Sequence, residues 1–326
     1  MSVMMTISDT AAWLKSRDNY LIITHRRPDG DTIGCAGALA QGLRELGKTV
    51  YVLFNPEATP RYARFISDYI APDGYSQDHI IIVDTASYEV FPVNGDEYID
   101  NVALSIDHHS SNTLYAENTC LDETTGSCGE IIYRLLVEMT GGVSKKSAEC
   151  LYVALSTDTG CFAFANTTAN TLRTAALLID AGAPHRELNK QLFRTRTLGR
   201  VRIEGLIFSG LEFHFGGAVA ISSITRSMIE SSGAEEDDLD DIASIPGSIE
   251  GVHVGLTIRE LDSTNKCKVS VRTGGAVNAH SVCARFGGGG HPMAAGFSLD
   301  KPLAEIKETL LEALPEYLPE SALTQT

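Results

Sequence analysis

The chain is short of positive charge. Its 326 residues carry 26 Lys and Arg against 42 Asp and Glu, a formal net charge of −16 at pH 7. Nonspecific binding to long DNA or RNA depends on many Lys and Arg neutralising phosphates, so this balance speaks against a long duplex as partner. A small anion held in a local pocket stays compatible with it. Long hydrophobic runs are also missing: Leu21–Ile23 and Ile80–Val83 are far too short to cross a bilayer. No C-x-x-C pair occurs among the seven cysteines, whose count is odd, so a disulfide framework is not expected and a reducing compartment fits. Met1 to Tyr20 lacks the apolar core of a secretory signal. Together these point to a cytoplasmic protein without a membrane partner. There is no repeat and no low-complexity tract.

What is present is an ordinary globular composition, 43% hydrophobic and 21% charged, at a length that favours two domains. In the first half, short apolar runs alternate with helical patterns. Strands are expected at Tyr20–Thr24, Val50–Phe54, Ile80–Val83 and Val102–Ile106. Helices are expected at about Thr32–Leu46, Gly129–Met139, Lys145–Ser156 and Thr168–Ala181. The alternation predicts an α/β fold with a doubly wound, mainly parallel sheet. Pro184 to Phe208 reads as one long basic connector helix containing Arg194, Arg196, Arg200 and Arg202. A smaller mixed α/β domain follows, with strands at Ala218–Ile224, Val252–Leu261, Lys266–Arg272 and Ala294–Leu299. Helices are expected there at Asn278–Arg285 and Leu303–Leu314. The expected domains are 1–187 and 213–326, joined by a helical linker over 188–212. The acidic run Glu235–Asp241 reads as a solvated helix start or turn.

Four places concentrate titratable groups where elements end. His25-Arg-Arg-Pro-Asp29-Gly-Asp31 follows the first strand, and Gly30 lets the chain turn between two carboxylates that can face one site. Asp84 follows Ile80–Val83, where it must be hydrogen-bonded, capping or metal-bound. Asp107-His108-His109 follows Val102–Ile106, and Asp158 ends a helix. Alone, each has a plain structural explanation. Combined, they give a carboxylate–imidazole set without thiolates, suited to Mn²⁺, Fe²⁺, Co²⁺ or Zn²⁺. Four carboxylate charges balance two divalent cations, which would lower the pKa of a bridging water and fix the oxygens of a phosphoryl group. In the second half, Gly287–Gly290 followed by His291 can expose backbone N–H groups to an anion, and Arg272 ends a strand where a bidentate phosphate grip is open to it.

These residues together resemble the DHH/DHHA1 phosphoesterase family, with Asp107-His108-His109 as the naming triplet and the glycine run ending in His291 as the second signature. The compact length is similar to the branch acting on nanoRNA and 3′-phosphoadenosine 5′-phosphate (pAp). The resemblance implies one ion, most simply Mn²⁺, on His25, Asp29 and Asp84, and a second on Asp31, Asp84, His108 and Asp158. It further implies His109 facing the scissile phosphate, Asp107 orienting its neighbours, and nucleotide binding by Arg272, Gly288, Gly289, Gly290 and His291. Asn166 and Arg173 are expected near the cleft. The implied reaction is attack by a bridging hydroxide on a small nucleotide or short oligonucleotide, in a protein that a homodimer would suit. Rival expectations are a cyclic-dinucleotide phosphodiesterase, a family II-like inorganic pyrophosphatase and a nucleotide-binding sensor without turnover.

Overall fold

The structure, a computed structural model, describes residues 2–239, 241–261 and 265–323. Asp240 of the acidic run and the outermost ends of both expected domains lie outside the described residues. The chain divides into two compact units, Met1–Thr195 and Arg196–Thr326.

The first unit contains strands β1 (Val3–Met4), β2 (Tyr20–Ile23), β3 (Val50–Val52), β4 (His79–Val83), β5 (Val102–Asp107) and β6 (Asn118–Leu121). They form one sheet in the order β1-β6-β5-β4-β2-β3, and every pairing is parallel. Parallel strands are buried on both faces, which is why Leu21–Ile23 of β2 and Ile80–Val83 of β4 are continuous runs of Ile, Leu and Val and do not alternate. The helices are α1 (Ile7–Ser16), α2 (Gly30–Glu45), the single turn α3 (Pro60–Ala63), α4 (Cys128–Thr140), α5 (Lys145–Asp158), α6 (Ala169–Asp180) and α7 (His185–Asn189). Helices α1, α2, α4 and α5 close the main core on one face around Leu39, Ile81, Ile106 and Leu151. The other face is capped by loops and short 3₁₀ turns, with Ile23, Ile82, Phe91 and Val102 in a smaller cluster.

The packing of α2 on α5 decides where the chemistry sits. A Cβ on Gly30 would overlap the Thr157 side chain, and one on Gly34 would overlap the Cys150 carbonyl. Glycine at these positions lets the two helix backbones meet. The start of α2, which carries Asp29 and Asp31, is thereby brought against the end of α5, which carries Asp158.

The second unit holds α8 (Leu198–Ser209), β7 (Glu212–His214), β8 (Val219–Ile224), α9 (Arg226–Ser232), β9 (Val254–Glu260), β10 (Lys266–Thr273), α10 (Ala279–Ala284), β11 (Gly289–Gly290), β12 (Ala294–Asp300), α11 (Leu303–Ala313) and α12 (Glu320–Leu323). Its sheet runs β11-β12-β10-β9-β8-β7, antiparallel except for the β8–β9 pair.

The single connector helix expected over Pro184–Phe208 is not found. The segment breaks into α7, a π turn over Lys190–Arg194 and α8. Thr195 is extended and Thr197 caps α8, its hydroxyl accepting from the Arg200 N–H. Part of the basic character is spent internally, since Glu204 lies 3.2 Å from Arg196 and 2.6 Å from Arg200. Nor is the acidic run wholly solvated. Asp238 is buried and accepts from the Thr197 hydroxyl at 2.6 Å.

Candidate metal centre

Ligand-binding groups in open α/β sheets gather beyond the carboxyl ends of the strands. Here β2, β4 and β5 deliver His25, Asp84 and the 107–109 triplet to that rim. Asp84 sits at φ +54°, a left-handed conformation uncommon for Asp, directly after β4. The turn aims its carboxylate across the strand ends. Asp84 is 3% exposed, and its Oδ1 is buried with no hydrogen-bond partner. An uncompensated buried oxygen of this kind is costly in a protein that holds no cation.

The two oxygens of Asp84 face different neighbours. Oδ2 lies 3.8 Å from His25 Nε2, which is also 3.5 Å from Asp29 Oδ1. Oδ1 lies 3.5 Å from His108 Nε2, which is in turn 3.9 Å from Asp31 Oδ2 and 3.8 Å from Asp158 Oδ2. Three donor groups of three residues result, His25–Asp29–Asp84, Asp31–His108–Asp158 and Asp84–His108–His109, the donor atoms of each lying within 4.8 Å of one another. These residues fit divalent cations: oxygen and imidazole donors only, with an orphaned carboxylate oxygen between the groups.

The crowding shows in the electrostatics. Burial, then the charges of Asp31 and Asp29, pushes the Asp84 carboxyl well above the usual range. The same causes push Asp158 up to about 8. Burial also raises Asp31, with His108 opposing. Negative groups held this close repel, and a cation removes the repulsion.

Neighbouring groups fix the orientation of each donor. Asp31 accepts from Ser127 Oγ at 2.9 Å, Cys128 N at 2.8 Å, Gly129 N at 3.1 Å and Cys35 Sγ at 3.2 Å. It therefore sits on the N-terminus of α4. Asn166 Nδ2 donates to Asp158 Oδ2 at 3.2 Å and to the Gly126 carbonyl at 2.9 Å. His108 turns Nδ1 toward the Thr125 carbonyl at 3.3 Å, which leaves Nε2 for the carboxylates. Asp107, fully buried, accepts from Asn112 Nδ2 at 2.6 Å and holds His109 Nδ1 at 2.7 Å. His109 is 37% exposed, and its Nε2 is left for a ligand. Ser127, Cys128, Gly129, Asn112 and Cys35 were not singled out by the sequence. Ser127 before an apolar helical run is a readable N-cap, but nothing in sequence ties it to Asp31. Among the described residues Arg173 bonds to Asn170 on its own helix, at 2.8 Å, and to no member of the donor set.

In the second unit, Gly289 and Gly290 form the edge strand β11 paired with β12, so the run is not an open loop. A Cβ on Gly288 would overlap the Gly296 carbonyl and the Phe297 side chain, whereas one on Gly289 would meet only the His280 ring, at an ordinary contact distance of 3.9 Å. Arg272 pairs with Ala294, placing the end of β10 beside the turn in which His291 N donates to the Ala294 carbonyl at 2.9 Å. The Arg272 Nη1 donates to the Val271 carbonyl at 3.1 Å, and His291 is exposed.

Comparison with known proteins settles the family. Residues 19–155 match the DHH family, N-terminal domain, and residues 216–320 match the DHHA1 domain. The chain belongs to the DHH/DHHA1 family of phosphoesterases and is a hydrolase. Over 301 residues it is 33% identical to the bifunctional oligoribonuclease and PAP phosphatase NrnA of Thermus thermophilus, covering 91% of this chain and 89% of that protein. The protein of the same description from Bacillus subtilis is 30% identical over 305 residues, covering 90% and 95%. Among solved structures, an exopolyphosphatase-related protein from Bacteroides fragilis superposes with a TM-score of 0.84 at 26% identity, covering 95% of this chain and 96% of that one. Among the described residues no helix is long and apolar enough to cross a membrane.

Proposed function

We propose that this phosphoesterase hydrolyses short oligoribonucleotides, linear dinucleotides and pAp at a pair of divalent cations, Mn²⁺ in the cell, that share Asp84. His25, Asp29 and Asp84 would hold one ion, and Asp31, Asp84, His108 and Asp158 the other. When bound, such a pair supplies a water of lowered pKa and a clamp on the oxygens of the scissile phosphate. The observation that carries the reading is the divergence of the two Asp84 oxygens, Oδ2 3.8 Å from His25 Nε2 and Oδ1 3.5 Å from His108 Nε2 and 3.6 Å from His109 Nδ1, with no hydrogen bond to Oδ1 among the described residues.

The protein's own side chains then divide the remaining work. His109, its Nδ1 fixed by Asp107, presents Nε2 to a phosphate oxygen and offsets charge there. Burial lowers the proton affinity of His109, but the Asp107 hydrogen bond and charge outweigh it, so the ring is held above its ordinary value. It is thereby kept ready to donate. Asp31 and Asp158 are held in place by α4 and Asn166 and need little reorganisation. In the second unit, Arg272, Gly288, Gly289, Gly290 and His291 are assigned to the nucleotide. A cytoplasmic homodimer acting on small, freely diffusing anions suits a chain of net charge −16, because its attraction for anions is local.

A Mn²⁺-dependent panel of pAp, linear dinucleotides, longer RNA, cyclic dinucleotides and pyrophosphate tests this reading. Turnover of pAp and linear dinucleotides well above the rest is expected. Fast turnover of pyrophosphate alone, or of cyclic dinucleotides alone, would overturn the substrate assignment. Binding of nucleotides without any turnover would leave a sensor.

A further inference from the structure

Beside the centre lies a second group of residues that the scheme above does not use. Arg26 and Arg27 directly follow His25, so their Cα atoms lie within about 4 and 8 Å of it. Their side chains are 51% and 75% exposed. One carboxylate serves both: Arg26 Nε is 3.6 Å from Glu57 Oε2, and Arg27 Nε is 3.6 Å from Glu57 Oε1. Two cations against one anion leave a net positive charge on a strongly acidic chain. Among the described residues neither guanidinium donates a hydrogen bond, so their planar donor edges are free.

The backbone beneath them is pinned from three sides. The Arg26 N–H donates to the Val90 carbonyl at 2.6 Å, in the loop after β4. Asn55, buried after β3, donates to the His25 carbonyl at 2.9 Å and accepts from the Glu57 N–H at 3.0 Å. Arg27 is held at φ +50°, a conformation that persists only where surroundings enforce it. Next to Asn55 stands Phe54, 59% exposed, its carbonyl accepting from Asn94 Nδ2 at 2.7 Å. The loops after β2, β3 and β4 thus form one stitched rim with free guanidinium groups and an exposed ring. Cationic groups alongside an aromatic face match the chemistry of a single-stranded nucleotide unit.

We propose that this rim is a subsite for the nucleotide flanking the scissile phosphate. Arg26 and Arg27 grip its phosphate, and Phe54 stacks on its base. The inference rests on the phosphoesterase reading and deepens it, since it makes the first unit itself selective for oligonucleotides over isolated phosphodiesters.

The test compares pApApA, which offers flanking phosphates and bases, with bis(p-nitrophenyl) phosphate, which offers only a scissile diester. Both are assayed with Mn²⁺ on the full chain, and the readout is the ratio of their kcat/KM values. Arg26→Gln/Arg27→Gln lowers that ratio about tenfold, chiefly through KM for pApApA, and Phe54→Ala lowers it about fivefold. Melting temperatures near wild type show that the exposed substitutions leave the fold intact. A ratio unchanged in both variants overturns the subsite while leaving the phosphoesterase reading in place. Should the wild type cleave neither compound, that reading fails instead. Equilibrium binding of pApApA then decides the subsite, with equal dissociation constants for wild type and variants counting against it.

Discussion

The two signatures, one in each unit, are built in opposite ways. At the rim of the parallel sheet, the chemistry-bearing side chains other than the exposed Asp29 are buried or half-buried, the carboxylates repel one another, and neighbours orient them: α4 for Asp31, Asn166 for Asp158 and, within the triplet, Asp107 for His109. In the second unit, the glycine run is a strand edge whose backbone is committed to pairing and close packing, with an exposed His291 beyond it. The first region stores electrostatic strain that only a ligand relieves. The second satisfies its own structure first and offers a surface afterward. Substitutions in the first should therefore change chemistry more than stability, and in the second the order should reverse at the packed glycine.

The largest effect is expected from Asp84→Ala. Removing the shared carboxylate should lower kcat/KM by on the order of a thousandfold or more. The metal-free variant should melt no lower than wild type, because a buried, repelled charge is gone. A variant both active and unstable would invert the comparison. Next comes the response to Mn²⁺. Asp158 titrates in the folded, metal-free protein at about 8, above its value in an unfolded chain. Between those values the folded state binds more protons, so stability of the metal-free protein falls as pH rises toward 8. A divalent cation needs the deprotonated form, so the rise in Tm on adding Mn²⁺ should be greater at pH 8 than at pH 6. An equal rise at both would detach the carboxylates from metal binding.

Gly30→Ala tests whether helix packing sets the site. The added methyl meets Thr157, so α2 and α5 must separate, moving Asp29 and Asp31 away from Asp158. A loss of about a hundredfold in kcat is expected, with a stability cost of about 1–3 kcal/mol by chemical denaturation. The smallest and most discriminating pair is Gly288→Ala against Gly289→Ala. The first should destabilise the second unit by about 1–3 kcal/mol through its overlap with Gly296 and Phe297. The second should leave Tm within a degree or two and raise only the KM for nucleotide. If Gly289→Ala is silent in both, the run has a packing role alone.

How much of this was legible before the structure differs by region for physical reasons. Buried parallel strands that run into titratable residues read clearly, because a continuous apolar run followed by His or Asp has few other meanings; β2, β4 and β5 fall within a residue or two of expectation. The N-terminal strand and helix did not, although the capping box of Thr6 and Asp9 is a local signal for α1. Strand β6 escaped because Asn118–Leu121 is half polar. The break at Thr195–Thr197 is invisible to periodicity, since threonine neither forbids nor requires a helix end. At the site, the donor residues could be read one by one, but the groups that hold them come from distant sequence. Asp31 is fixed by residues almost a hundred positions away, and only tertiary packing reveals the pairing. The glycine run was recognisable as a signature; that it is also a strand was not.

The central claim is that one carboxylate is shared by two cations, and a crystal of the Mn²⁺-soaked protein measured at the manganese absorption edge tests it most directly. Two anomalous peaks about 3.5–4 Å apart, one on each oxygen of Asp84, are predicted. A single peak, or two that leave Asp84 uncoordinated, would contradict the account.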